Sequence, residues 1–157
     1  MESIVEDIFG LIHLISSVAA LIFGTIILTI TKGTKTHKKI GYGYVMSMIV
    51  LLVTSFMIYR LFNAFGIFHY SALISLTTLI LGMIPAIRRK SPKWKYFHFT
   101  FMYWSVIGLY AAFVSELMVR IPQTPFFGMV GASVGGIMLI GGVSFAINKR
   151  KWKEHFK

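Results

Sequence analysis

Residues Ile8–Lys39 read IFGLIHLISSVAALIFGTIILTITKGTKTHKK, an apolar run that ends in a lysine-rich segment. The part Ile8–Ile30 contains no charged residue, and a helix needs roughly 20 mostly apolar residues to cross the hydrocarbon core of a bilayer. The segment Thr31–Lys39 then brings four lysines together. This stretch predicts a membrane-spanning helix followed by a basic loop.

The same alternation of apolar run and basic connection continues along the chain. Four further runs have the length and composition of membrane spans: Ile40–Phe62, Gly66–Ile87, Phe97–Val119 and Phe126–Ile147. Fourteen of the 16 basic residues lie in three alternate segments, 31–39, 88–95 and 149–157. Because basic loops stay on the cytoplasmic side during insertion, we predict one all-α domain over residues 1–157. It is a bundle of five transmembrane helices, with its N-terminus outside and its C-terminus in the cytoplasm.

The composition excludes several classes of protein. Charged residues make up only 13% of the chain, against about 25% in soluble domains. The absence of cysteine excludes disulfides, thiolate metal sites and thiol nucleophiles. The net charge of +11 lies in loops that have no element for reading nucleic-acid bases, which argues against a nucleic-acid partner. It favours anionic lipid head groups at the cytoplasmic face as the partner. No hydrolase triad order, phosphate-binding loop or HExxH motif is present.

A weak internal repeat relates the first and second helices to the third and fourth. The matching features are a short apolar stretch ending in glycine, a histidine and a terminal arginine, in the pairs Leu21–Gly24 and Leu79–Gly82, His37 and His98, Arg60 and Arg120. The fifth helix stands outside this scheme and carries Gly131 and Gly135, a spacing that lets helix backbones approach closely. That glycine-rich helix can pack in its own bundle, or contact a membrane-protein partner or a second copy.

Four of the five histidines lie near the N-terminal ends of the first four predicted helices: His13, His37, His69 and His98. Because successive helices alternate in direction, His13 and His69 belong to the outer side, and His37 and His98 to the inner side. Two such pairs suit two bis-imidazole haem b sites, between which electrons can cross the bilayer. The pairs also suit zinc or copper. The alternative is that these histidines simply end helices at the membrane interface.

Glu116 is the one acidic residue inside a predicted span, where an unpaired carboxylate is costly. Its spacing from His98 places both residues on one face of a helix. Its depth is comparable to that of His13, so His13, His69 and Glu116 can converge into a metal site of two imidazoles and one carboxylate. The alternative is an ion pair between Glu116 and Arg120, one helical turn apart.

Two stretches resemble an uncharacterised family of bacterial multi-pass membrane proteins, domain of unknown function 2306. They are Lys32-Gly33-Thr34-x-x-His37-Lys38-x-x-Gly41-Tyr42-x-Tyr44 and His98-x-x-x-Met102-Tyr103-Trp104-Ser105, the second followed by Gly108-Leu109-x-Ala111-Ala112 and Glu116. His13 also fits the pattern, and the resemblance covers the first four helices. It implies a small helical protein of the bacterial inner membrane, in which His13, His37, His98 and Glu116 are features of the family.

Three functional hypotheses follow from these residues. The first is a redox or metal protein that uses the four histidines as ligands, with Glu116 as a further ligand or a supporting carboxylate. The second is a non-catalytic accessory or assembly subunit, whose polar residues are satisfied locally. The third is a small proton-coupled transporter, which ranks last because no charged residue lies at the predicted midplane.

Overall fold

The computed structural model describes residues 8–59 and 63–155, and this part of the chain forms five α-helices and no β-strand. The helices are α1 (Ile8–Thr29), α2 (Lys35–Ser55), α3 (Ile67–Arg88), α4 (Trp94–Met118) and α5 (Phe126–His155). The predicted all-α class and the number of helices are therefore confirmed.

Four of these helices are long and apolar enough to cross a membrane: α1, α3, α4 and the part Phe126–Arg150 of α5. The helix outside this set is α2, whose first turns carry Lys35, Lys38 and Lys39. It also ends at Ser55, earlier than the predicted span Ile40–Phe62, and Arg60, at the end of that span, lies outside the described residues. The number of spans shown is thus four, and the inside–outside topology and the duplication remain predictions.

The chain divides into two compact units, Met1–Leu76 and Thr77–Lys157, with the boundary inside α3. In the first unit, α1 and α2 run antiparallel. A side chain on Gly41 would meet Ile27 at 3.1 Å, and Thr54 lies opposite His13. The two helices therefore stay side by side from Gly41 to Thr54.

A short polar turn joins α1 to α2. The Lys32 ammonium donates to three carbonyl oxygens at the end of α1, those of Ile27 (2.6 Å), Leu28 (2.8 Å) and Ile30 (3.0 Å). Gly33 follows with φ of 83°, a left-handed conformation that glycine adopts without strain. Thr34 then accepts the backbone N–H of His37 and begins α2. Partial burial lowers the pKa of Lys32 because it removes water from the ammonium.

In the second unit, α4 packs against the end of α3 and against α5. At Gly82 of α3, an added Cβ would lie 2.6 Å from the Met102 sulfur. Toward α5, the Tyr103 hydroxyl donates to the Gly141 carbonyl at 2.9 Å. Aromatic rings also contact one another between α4 and α5, namely Phe99, Tyr103, Trp104, Phe145 and Trp152. This cluster places the start of α4 beside the end of α5.

Candidate functional site

His13 is hydrogen-bonded across the α1–α2 pair. Its Nδ1 atom lies 3.1 Å from Oγ1 of Thr54, a buried residue of α2. The single hydroxyl proton of Thr54 faces the carbonyl oxygens of Val50 and Leu51, both at 2.9 Å. When that proton goes to either carbonyl, the Thr54 oxygen accepts from His13, which then carries its own proton on Nδ1. In the neutral ring, the lone pair is then on Nε2.

His98 has the same tautomer in the second unit. Its Nδ1 atom lies 2.8 Å from the carbonyl oxygen of Gly82. A carbonyl can only accept, so Nδ1 carries the proton and Nε2 of the neutral ring carries the lone pair. The close approach of Gly82 and Met102 holds the two helices where this bond forms.

His37 lies where the sequence predicts, in the first turn of α2 and half-buried. Its backbone N–H donates to Thr34 Oγ1 at 3.1 Å. His37 therefore follows the turn that joins α1 and α2, at the basic end of this helix pair.

His69 differs from His13 and His98 in which ring nitrogen carries the proton. Its Nδ1 atom accepts the backbone N–H of Gly66 at 3.1 Å, so the proton of the neutral ring is on Nε2. The ring is 5% exposed, and the rings of Tyr59 and Phe65 each lie 4.7 Å away by ring centroids. This tautomer offers a donor rather than a lone pair at Nε2.

Glu116 pairs with Arg120 one turn further along the chain, at 2.8 Å. Both side chains are more than a third exposed, so the pair contributes little to stability, about 0–1 kcal/mol. This is the alternative that the sequence left open for Glu116. Among the side chains that the structure describes, no three histidines or carboxylates are grouped to hold a metal ion. The predicted metal set of His13, His69 and Glu116 gains no support from this arrangement.

A family profile described as "Predicted membrane protein (DUF2306)" matches residues 10–149. The chain belongs to this family. The match extends through most of α5 and confirms the resemblance that the first four helices carry. No curated protein and no solved structure matches the chain. The family description says that its members are membrane proteins, which agrees with the four apolar helices.

Several DUF2306-like motif residues have a structural role in this chain. In the first stretch, Lys32 caps α1, Gly33 makes the turn and Thr34 caps α2. In the second stretch, Met102 packs on Gly82 and Tyr103 bonds to α5. These five motif residues therefore act in the turn between α1 and α2 and in the packing of α4.

The atoms that the histidines contact are not predictable from the sequence pattern. Thr54 is one of several residues with a hydroxyl group in the second predicted helix, and Gly82 stands out only as part of the weak internal repeat. Both become significant because of the register between neighbouring helices, which sets Thr54 opposite His13 and Gly82 opposite His98. Pairing Gly41 with Ile27 as antiparallel neighbours would have identified Thr54 in advance.

Proposed function

We propose that this protein binds haem b through membrane-embedded histidines and transfers electrons, with His13 as a ligand of an outer haem and His98 as a ligand of a separate inner haem. The observation that carries the proposal is the tautomer that they share. Each donates Nδ1–H to an oxygen of a facing helix. Histidines that bind a metal nearly always donate their other ring N–H in this way, which fixes the ring and directs Nε2 to the metal.

The other two histidines enter this proposal differently. His37 lies at the basic end of α2 and is kept as a candidate ligand. His69 would have to give up its bond from Gly66 before Nε2 could bind iron, so it is assigned no ligand role. Zinc or copper would use the same Nε2 atoms, and metal analysis of the purified protein distinguishes those ions from haem.

The experiment is a dithionite-reduced minus air-oxidised visible spectrum of the full chain, purified after expression with added haem. We expect a sharp b-type α-band that weakens in His13→Ala or His98→Ala. His69→Gln is the matched control and should keep the band, because its ring nitrogen is not a ligand in this proposal. A flat spectrum from folded wild-type protein would reject haem.

The proposed topology is the five-span arrangement, with the N-terminus outside a bacterial inner membrane. The contacts that support it are those between α1 and α2. Since α2 follows α1 from Gly41 to Thr54, it would share the depth of a helix apolar enough to span, despite its basic first turns. Anionic head groups are the proposed partner of the basic segments. In the basic segment between α3 and α4, the Arg89 guanidinium carbon lies 5.2 Å from the centroid of the Trp94 ring.

The absence of native cysteine makes this topology testable by labelling. Single substitutions Thr36→Cys, Ser91→Cys and Thr124→Cys place a thiol at the start of α2, in the α3–α4 connection and in the α4–α5 connection. Five spans put Thr36→Cys and Ser91→Cys inside and Thr124→Cys outside when an impermeant maleimide is added to intact cells. If α2 does not cross, the labels at positions 36 and 91 fall on opposite sides.

A second candidate function is a non-catalytic assembly subunit, and one observation favours it. Glu116 and His69 both have partners within their own helix or the turn before it. In that case the histidines only hold helices together, and the glycine stripe of α5 would contact a partner or a second copy. Absence of both haem and metal, together with a stability loss in His13→Ala, would favour this candidate.

A further inference from the structure

His69 has a buried donor with no acceptor in the part of the chain that the structure describes. Its Nδ1 atom is occupied by the N–H of Gly66, so Nε2 carries the proton. That atom is buried and makes no hydrogen bond to residues 8–59 or 63–155. Buried polar groups nearly always have a partner, and a polar group without one in a membrane protein commonly marks a functional site.

The surroundings of this donor are aromatic. Tyr59 and Phe65 lie against the His69 ring at 4.7 Å, inclined by 32° and 30°. Phe56 approaches to 6.2 Å. Tyr59 and Phe65 are each 44% exposed, so they form the outer walls of the cluster.

We propose that the cluster formed by Phe56, Tyr59, Phe65 and His69 binds the head group of a membrane quinone, with His69 Nε2–H donating to a quinone carbonyl. The donor requires an acceptor, and the flat aromatic walls favour a planar ring that stacks on them. His69 lies in the first turn of α3, a candidate span, which a lipid-soluble ligand can reach from the bilayer. The proposal concerns binding alone and does not require haem.

The test is a calorimetric titration of full-length protein with ubiquinone-0, a tail-less soluble quinone. The protein is expressed without added haem and reconstituted in nanodiscs of ether-linked phosphatidylcholine, which has no ester carbonyl. Empty nanodiscs supply the baseline. We expect saturable binding that weakens at least tenfold in His69→Phe, which keeps an aromatic ring but removes the donor.

A matched variant separates the donor from general aromatic packing. Tyr70 contacts the Phe65 ring at 5.1 Å, so Tyr70→Phe keeps that ring contact and should bind as wild type does. Tyr59→Leu removes a wall and should weaken binding severalfold. It provides a second measurement if His69→Phe fails to fold by circular dichroism.

Two results would overturn the proposal. One is heat indistinguishable from that of empty nanodiscs, and the other is equal affinity in wild type and folded His69→Phe. The competing acceptor is the ester carbonyl of a phospholipid. If the His69 side-chain N–H signal in ¹⁵N NMR moves between ether and ester lipids but not on adding quinone, the lipid is the ligand and the quinone assignment is wrong. Each outcome is independent of the haem spectrum.

Discussion

His98 and His69 both lie near the start of an apolar helix, yet their rings have opposite chemistry. His98 faces a carbonyl oxygen of the neighbouring helix α3, so it donates from Nδ1 and its Nε2 is basic. His69 faces the N–H of Gly66, just before its own helix, so Nε2 is a donor. His13 resembles His98, because its Nδ1 atom also faces an oxygen, that of the Thr54 hydroxyl. The type of the facing atom, rather than the position along the helix, decides what each histidine can bind.

The largest expected effect comes from separating the helices that set the His98 partner. Gly82→Ala places a Cβ 2.6 Å from the Met102 sulfur and 3.3 Å from its backbone nitrogen. Overpacking of this kind costs roughly 1–3 kcal/mol, and the His98–Gly82 bond should lengthen with it. Unfolding in mixed detergent micelles, followed by circular dichroism, measures the loss.

Gly135→Ala is the control for that substitution. A Cβ there meets no described atom within 4 Å, so the free energy of unfolding should stay the same or rise slightly. Equal losses in Gly82→Ala and Gly135→Ala would contradict the assignment of the Gly82→Ala loss to the contact with Met102.

A smaller effect is expected from removing the oxygen that His13 faces. Thr54→Val keeps the shape of the side chain but removes the acceptor, which should cost roughly 0.5–1.5 kcal/mol. Because Thr54→Val removes the oxygen that His13 Nδ1 faces, it should also weaken any haem band. Thr29→Val is the matched control, because Thr29 bonds only within α1 at an exposed position. Stability that falls equally in both variants would contradict the assigned bond.

The smallest effect is expected at the exposed ion pair. Glu116→Gln should change the free energy of unfolding by no more than about 0.5 kcal/mol, and the difference should vanish in high salt, because water screens the pair with Arg120. A large loss of stability together with loss of a bound metal would restore Glu116 as a ligand.

The sequence predicts the all-α class of this fold well, because a membrane determines both the apolar runs and the positions of the basic residues along the chain. The predicted start of the last helix, Phe126, agrees with the structure. The second helix was predicted to reach Phe62, but the Met57 N–H bonds to the Thr54 carbonyl and the chain turns there. Apolar residues continue past that turn, so hydropathy could not detect it.

The candidate site was less predictable than the fold. The positions of the histidines follow from the sequence, but Thr54, Gly66 and Gly82 do not appear there as their partners. Those pairings depend on the register between helices and on backbone atoms. Every residue has the same backbone atoms, so a pattern of side chains does not identify which of them a histidine contacts. The stacking of His69 between Tyr59 and Phe65 depends likewise on a turn that the sequence did not predict.

The most direct test of this account is to measure the tautomers themselves by side-chain ¹⁵N NMR on histidine-labelled protein, with signals assigned by single substitutions. Protonated and unprotonated ring nitrogens have widely separated shifts. At a pH where the rings are neutral, we predict protonated Nδ1 in His13 and His98 and protonated Nε2 in His69. The same tautomer in all three rings would contradict the account.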